Sequence, residues 1–226
     1  MALTIMSIVI CLHGAASETK KKTPTLYNSV DKEQMDQWVD YIYNQMTSDQ
    51  RIGQLFMPVV SGENTESNKN RMLGFINDLH VGGILFSKGS PLDQAELTTT
   101  ARNAAKSPLM ISLDGEWGLS MRLDNTTQFP RNMMLGAVRN DSLLYYYGLE
   151  VARQCKLMGI QVNFAPALDV NINPENPVIG NRSFGEDAEQ VAQLGIMYSK
   201  GLEAGGIMAV AKHFPGHGDT STDSHK

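Results

Sequence analysis

Short apolar runs alternate with segments of helical periodicity along most of this chain of 226 residues. The apolar runs span residues 56–60, 81–86, 109–113, 162–170 and 207–211. Apolar residues recur at helical spacing in the segments around them, at 31–46, from Ser48 onward, 68–79, 91–105, 141–158 and 187–204. Such alternation with short connections predicts a parallel sheet flanked by helices, which closes either as an open doubly wound sheet or as a (β/α)8 barrel.

Polar side chains at the ends of the predicted strands favour the barrel. No glycine-rich nucleotide fingerprint follows the first strand. Ser87-Lys88, Asp114, Asp169 and Lys212-His213 each follow an apolar run, and a ring of such groups at strand carboxyl ends is typical of a TIM-type barrel. A complete barrel has eight strands in roughly 200–250 residues. We therefore expect an α/β fold with a TIM-type (β/α)8 barrel that is truncated after about five strands.

Composition excludes several classes of protein. The net charge is −5 and the one basic run is Lys20-Lys21-Lys22, so the chain lacks the footprint of a nucleic-acid-binding protein. The two cysteines, Cys11 and Cys155, form neither a disulfide framework nor a metal motif. Apolar and charged fractions of 42% and 19% are ordinary for a globular protein.

The N-terminus resembles a secretory signal. Residues 1–12 are largely apolar and Ala15-Ala16-Ser17 offers small residues for cleavage, although a positively charged beginning is missing. We expect a signal peptide at 1–17, a linker at 18–30, a catalytic barrel from 31 to 226, and export to the periplasm or the extracellular space. A mis-started N-terminus and a cytoplasmic location are the alternative. The apolar span is too short for stable membrane insertion.

The last fifteen residues hold three of the five histidines, His213, His217 and His225. Asp223 could accept a hydrogen bond from one ring nitrogen of His225 and raise the basicity of the other, which would make His225 a general acid/base. Two solvated polar residues are the alternative. His213 and His217 lie four residues apart, but Pro215 and its neighbouring glycines break the helix that would align them, so we predict no metal site.

Four further side chains are candidates for binding a polar ligand. Asp114 ends a strand and Arg122 follows eight residues later; a carboxylate can take two sugar hydroxyls and a guanidinium offers a planar fork of donors. Arg182 has the same capacity. Lys212, with His213, suits hydrogen bonding to substrate hydroxyls. Buried ion pairs that only hold loops are the alternative, and for Asp169 we favour such a structural role.

These residues lie in stretches that together resemble glycoside hydrolase family 3, in its β-N-acetylhexosaminidase branch, from about residue 31 to the end. The stretches are Lys212-His-Phe-Pro-Gly-His-Gly-Asp-Thr-Ser-Thr-Asp-Ser-His225, Met46-Thr-Ser-Asp-Gln-Arg-Ile-Gly-Gln-Leu-Phe56, Gly82-Gly-Ile-Leu-Phe86, Asp114-Gly-Glu-Trp-Gly118, Phe164-Ala-Pro-Ala-Leu-Asp-Val170 and Asn181-Arg-Ser-Phe-Gly-Glu-Asp187. Trp117-Gly118 departs from the family's usual pattern after the acidic pair and could alter the edge of a subsite.

The resemblance implies a TIM-type barrel and a retaining, two-step hydrolysis without cofactor or metal. It implies that His225 is the acid/base, paired with Asp223, and that sugar-binding positions are Asp114, Arg122, Arg182, Lys212 and His213. The family's nucleophile is an aspartate on a later strand, which we expect beyond Lys226. The expected activity is removal of terminal β-linked N-acetylglucosamine from peptidoglycan or chitin-type fragments. β-Glucosidase activity, phosphorolysis and a non-catalytic fragment are the alternatives.

Overall fold

The computed structural model describes residues 30–223 and contains one sheet of five parallel strands. The strands are β1 (Val59–Val60), β2 (Gly83–Phe86), β3 (Met110–Leu113), β4 (Val162–Asn163) and β5 (Met208–Ala209). Each strand pairs with the next one in the chain, in the order β1-β2-β3-β4-β5. Parallel strands added one by one in a single direction form the wall of a TIM-type barrel, so the predicted α/β class is confirmed.

Two helices precede the first strand, and the others lie between successive strands. They are α1 (Lys32–Gln45), α2 (Ser48–Gly53), α3 (Glu66–Asn77), α4 (Pro91–Ala104), α5 (Asn132–Gly136), α6 (Ser142–Leu157) and α7 (Ala188–Ala204). Single turns of 3-10 helix occur at Leu119–Met121 and Gly180–Arg182. No helix within residues 30–223 is long and apolar enough to span a bilayer.

Side chains at the helix starts explain where the helices begin. Asp31 caps α1 by accepting a hydrogen bond from the backbone of Gln34. Helix α2 begins at Ser48, directly after its own cap. Thr47 is the cap, and it forms a reciprocal capping box with Gln50 that satisfies two backbone donors.

The core lies between the central strands and helices α4, α6 and α7. Ile84, Phe86, Ile111 and Leu113 are fully buried, and each such side chain contributes about 1.5–3 kcal/mol by leaving water. Helices α6 and α7 can approach closely because Gly148 has no β-carbon. A β-carbon there would overlap the backbone of the opposing helix. This packing holds the long connections on either side of β4 in place.

The two outermost described strands are less buried than their apolar sequences predict. Val59 in β1 is 51% exposed, and Phe56 just before it is exposed as well. Residues 208 and 209 of β5 are half-buried. Strand β1 has a neighbouring strand on only one side within residues 30–223, and Val59 is exposed there, whereas Val60 is buried.

Candidate active site

Charged side chains from three connections meet at the carboxyl end of the sheet. Asp114 and Glu116 directly follow β3, and Arg182 lies in the long connection between β4 and α7. Lys212 and His213 follow β5. Because the strands are parallel, their carboxyl ends lie at the same edge, where functional residues of such folds gather.

Lys212 joins the two acidic residues that follow β3. Its Nζ lies 2.5 Å from Oδ1 of Asp114 and 2.7 Å from Oε1 of Glu116. The Glu116 side chain is fully buried, and the Lys212 side chain is 13% exposed. One ammonium group thus lies between two carboxylates that would otherwise repel each other in a poorly hydrated setting.

Arg182 forms a bidentate ion pair with Glu116. Its Nη2 donates to Oε1 at 2.6 Å, and its Nε donates to Oε2 at 3.0 Å. The hydrogen bond to Glu116 raises the pKa of Arg182, so the guanidinium stays charged. Asn132 donates to the backbone carbonyl of Arg182 at 2.7 Å and fixes the turn that carries this side chain. Paired hydrogen bonds of this kind orient an arginine as well as neutralise it.

Asp114 and Arg122 form an ion pair, which was the alternative to ligand binding at these positions. Nη2 of Arg122 donates to Oδ2 of Asp114 at 2.6 Å, and its Nε donates to the backbone carbonyl of the same residue. Burial alone would raise the pKa of Asp114, but the charge of Lys212 and the hydrogen bonds from Lys212 and Arg122 outweigh it. The pKa of this carboxyl therefore lies below its ordinary value.

Asp169 holds the loop that follows β5. Its fully buried carboxylate lies 2.5 Å from Nδ1 of His213, and its other oxygen accepts the backbone N–H of His217 at 2.7 Å. Nε2 of His213 lies 3.5 Å from Nη2 of Arg182. Asp169 thus orients His213, a predicted sugar-binding residue, through its Nδ1 atom. This contact agrees with the structural role favoured for Asp169.

Two asparagines fasten the same loop from the β4 side. Asn176 donates to the carbonyl of His217 at 2.6 Å, and Asn173 donates to the carbonyl of Asp219 at 3.0 Å. A cavity of about 600 Å³ opens beside this loop, lined in part by Asp169, Lys212 and His213. Of the predicted binding residues, Lys212 and His213 therefore border space that a ligand can enter.

The structure brings Asp114, Arg122, Arg182, Lys212 and His213 into one connected cluster. Their roles in sugar binding stay predictions. Asp223 belongs to the described residues, whereas His225 lies outside them, so the proposed acid/base pair is untested. Within residues 30–223, no group of three or more His, Cys, Asp or Glu side chains is placed to hold a metal ion.

Sequence reasoning missed Glu116 as a member of this cluster. The carboxylate contacts both Arg182 and Lys212 and is fully buried. A charged residue two positions after Asp114, in a strand-end loop, was a signal that both side chains could face one site.

Comparison with known proteins identifies the family. The model of the glycosyl hydrolase family 3 N-terminal domain matches residues 47–226. The chain belongs to glycosyl hydrolase family 3. Helix α1 precedes the matched region. Every residue of the charged cluster falls within the matched region.

Relatives within the family carry more than one kind of name. A protein of Cellulomonas fimi named β-N-acetylglucosaminidase/β-glucosidase is 33% identical over 189 residues, which cover 83% of this chain and 33% of the relative. The structure of a family 3 β-N-acetylglucosaminidase from Paenibacillus matches with a TM-score of 0.68 and 38% identity, over 80% of this chain and 35% of the other. The β-glucoside phosphorylase BglX matches with a TM-score of 0.80 and 25% identity, over 87% and 35%. The chain thus spans about a third of each of these proteins.

Proposed function

We propose that this chain belongs to a retaining exo-β-N-acetylglucosaminidase that removes terminal N-acetylglucosamine from peptidoglycan or chitin-type fragments. The observation that carries the proposal is the connected cluster of Asp114, Arg122, Arg182, Lys212 and His213. Two of its members, Lys212 and His213, line an open cavity. Carboxylates and fixed cationic donors at one strand edge are suited to a ligand rich in hydroxyl groups. The names of relatives from Cellulomonas fimi and Paenibacillus support N-acetylglucosamine as the sugar.

The proposed reaction has two steps. An aspartate attacks the anomeric carbon while His225 gives a proton to the leaving glycosidic oxygen, and a covalent glycosyl-enzyme forms. His225 then takes a proton from water, which displaces the aspartate and restores the original anomeric configuration. Asp223 would fix the tautomer of His225, and the nucleophile is not assigned to any of the 226 residues. A histidine replaces one carboxylate here, so the usual carboxylate spacing does not apply.

The charged cluster has a separate task in this reaction. Arg182 is oriented by Glu116, and Lys212 is held between two carboxylates, so their donors need no rearrangement when a sugar arrives. Preorganised donors lower the entropy cost of binding and hold the anomeric carbon within reach of the reacting groups. No step of the proposal needs a metal or cofactor.

A second candidate is action on β-glucosides, by hydrolysis or by phosphorolysis. The likeness to BglX and the double name of the Cellulomonas fimi relative favour it. The Asp223–His225 loop argues against an ordinary β-glucosidase. Phosphate separates the two reactions, because a phosphorylase releases sugar 1-phosphate only when phosphate is present.

The test uses the protein expressed from its complete gene and two chromogenic substrates, p-nitrophenyl β-N-acetylglucosaminide and p-nitrophenyl β-glucoside. We expect faster release of p-nitrophenol from the first, no requirement for phosphate, and activity that survives EDTA. Cleavage of the glucoside alone would sink the proposal. Sugar 1-phosphate formed only with phosphate would assign the second candidate, and loss of activity in EDTA would indicate a metal hydrolase.

Substitutions at the acid/base pair test the mechanism. His225→Ala should reduce kcat by about 100-fold or more, in keeping with the usual contribution of a general acid/base. His80→Ala is the matched control, because His80 lies in the connection between α3 and β2, and it should stay within about two-fold of wild type. Equal activity of His225→Ala and wild type would remove this histidine from the mechanism. No cleavage of either substrate by wild type would support a non-catalytic, sugar-binding role.

Export is a further proposal, based on the apolar residues 1–12 and the small residues at 15–17. We expect the mature protein to begin at Glu18 and to occur in the periplasm or the medium. Mass spectrometry of the N-terminal peptide from each cell fraction checks this. A cytoplasmic protein that retains Met1 would contradict it.

A further inference from the structure

Gly115 lies between the two acidic residues of the cluster, and one side chain hydrogen-bonds to both its N–H and its carbonyl oxygen. Oδ1 of Asn163 accepts the N–H of Gly115 at 2.9 Å, and Nδ2 of Asn163 donates to the carbonyl of the same glycine at 3.1 Å. Asn163 is fully buried. A buried amide with both ends engaged cannot turn without losing two hydrogen bonds at once.

A tyrosine from the opposite side of the core reaches the same carbonyl. The hydroxyl of Tyr198, in helix α7, donates to the carbonyl of Gly115 at 3.3 Å. Burial raises the pKa of Tyr198 well above its ordinary value, so the hydroxyl remains a donor across the physiological range. The backbone N–H of Gly118 also donates to this carbonyl, at 3.1 Å. Three hydrogen-bond donors, from Asn163, Tyr198 and Gly118, therefore meet at the carbonyl oxygen of Gly115.

The glycine itself belongs to the arrangement. A β-carbon at position 115 would lie 3.1 Å from the carbonyl oxygen of Gly118 and 3.3 Å from Oδ1 of Asn163, both closer than ordinary van der Waals contact. A side chain at this position would therefore require Gly118 or Asn163 to shift by a few tenths of an ångström. Asn163 in turn is placed by the sheet, since it is paired in register with Leu113, the last residue of β3.

We infer that Asn163 and Tyr198 are positioning residues for sugar binding, because they fix the peptide between Asp114 and Glu116 so that both carboxylates meet Lys212. This inference rests on the proposed function. Lys212 lies 2.5 Å from one carboxylate and 2.7 Å from the other, so a turn of the intervening peptide would pull at least one of them away. Asn163 and Tyr198 do not themselves touch the sugar.

Two variants separate positioning from general stability. Asn163→Ala removes both hydrogen bonds to Gly115, and Tyr198→Phe removes one hydroxyl while the ring packing remains. Ile160→Val is the control, because Ile160 is buried just before β4 and its backbone N–H donates to the carbonyl of Cys155, away from Gly115. It should cost stability through lost packing alone. If Asn163→Ala fails to fold, the milder variant Tyr198→Phe still tests the inference.

The first measurement is steady-state kinetics on whichever of the two p-nitrophenyl glycosides the wild-type protein, expressed from its complete gene, cleaves faster. We expect a rise in KM of about 10-fold for Asn163→Ala and about 3-fold for Tyr198→Phe, with kcat changed less, since a displaced binding group weakens ground state and transition state alike. Ile160→Val should leave KM unchanged. Equal KM values in wild type and both variants would overturn the inference.

The second measurement does not depend on activity. Carboxyl carbons of Asp114 can be followed by NMR in protein labelled with ¹³C-aspartate. In wild type and Ile160→Val this carboxyl should titrate below its ordinary range, because Lys212 and Arg122 contact it. It should titrate higher in Asn163→Ala and Tyr198→Phe. An unchanged titration in both variants overturns the inference, whereas failure of wild type to cleave either glycoside refutes the proposed function alone.

Discussion

Replacing Lys212 by methionine tests the central ion pair of the cluster. The side chain keeps its approximate length but loses the ammonium group that contacts Asp114 and Glu116. Removing one partner of a buried ion pair costs about 3–5 kcal/mol. Arg122 and Arg182 still contact the two carboxylates, so we expect the lower end, about 3 kcal/mol. For a chain of this size that corresponds to a fall in Tm of about 6–12 °C.

The loss should depend on pH in a defined direction. The pKa of Asp114 is lowered in the folded protein, so its ion pairs stabilise the fold above the ordinary carboxyl pKa of 3.8. That stabilisation disappears as the pH falls through the lower, folded-state pKa. The difference in unfolding free energy between wild type and Lys212→Met should therefore be greatest near neutral pH and shrink in acid.

Urea denaturation followed by circular dichroism, repeated from neutral pH to about pH 3, measures this difference. Lys200→Met is the control, because Lys200 is an exposed residue of α7 and its loss should change stability by less than about 0.5 kcal/mol. If Lys212→Met changes the unfolding free energy as little as Lys200→Met does, the ion pairs of Lys212 do not stabilise the fold as stated. A large difference that is the same at every pH would contradict the expected pH dependence.

Two more residues of the site and one buried thiol give three further tests. Arg182→Lys cannot reproduce the fork on Glu116, so KM for the N-acetylglucosaminide should rise about 10-fold in steady-state assays; an unchanged KM would contradict this. Asp169→Asn should lower the unfolding free energy by about 2 kcal/mol, measured in urea, because the charged acceptor of His213 is lost; an unshifted midpoint would count against it. Burial raises the pKa of Cys155 to about 12, so peptide mass mapping should find it unmodified by iodoacetamide until the protein unfolds; rapid alkylation of the folded protein would show that the thiol is accessible.

Periodicity predicted the elements of the fold better than their ends. Segments 31–46 and 187–204 are helices because their apolar residues recur on one face, and Asp31 and Asp187 cap them. In the apolar run from 162 to 170, the strand covers only Val162–Asn163, and Ala167 forms an isolated bridge to Lys212. Pro166 has no N–H to donate to a ladder, and an apolar composition alone does not show where pairing stops. The short helix Asn132–Gly136 has too few residues for periodicity to reveal it.

The candidate site shows the same limit in another form. Asp114 and Lys212 were found because each follows a strand, and parallel strands bring their ends together. Glu116 was missed because its partners are distant in sequence: Arg182 lies 66 residues away. The clamp of Asn163 on Gly115 spans 48 residues and depends on the register between β3 and β4, which no local pattern reveals.

A crystal structure with bound N-acetylglucosamine tests the central claim most directly. We predict sugar hydroxyls within hydrogen-bonding distance of Asp114, Arg122, Arg182, Lys212 and His213, with the contacts of Lys212 to Asp114 and Glu116 retained. A sugar bound elsewhere on the molecule, with none of these five side chains in contact with it, would contradict the proposed binding site.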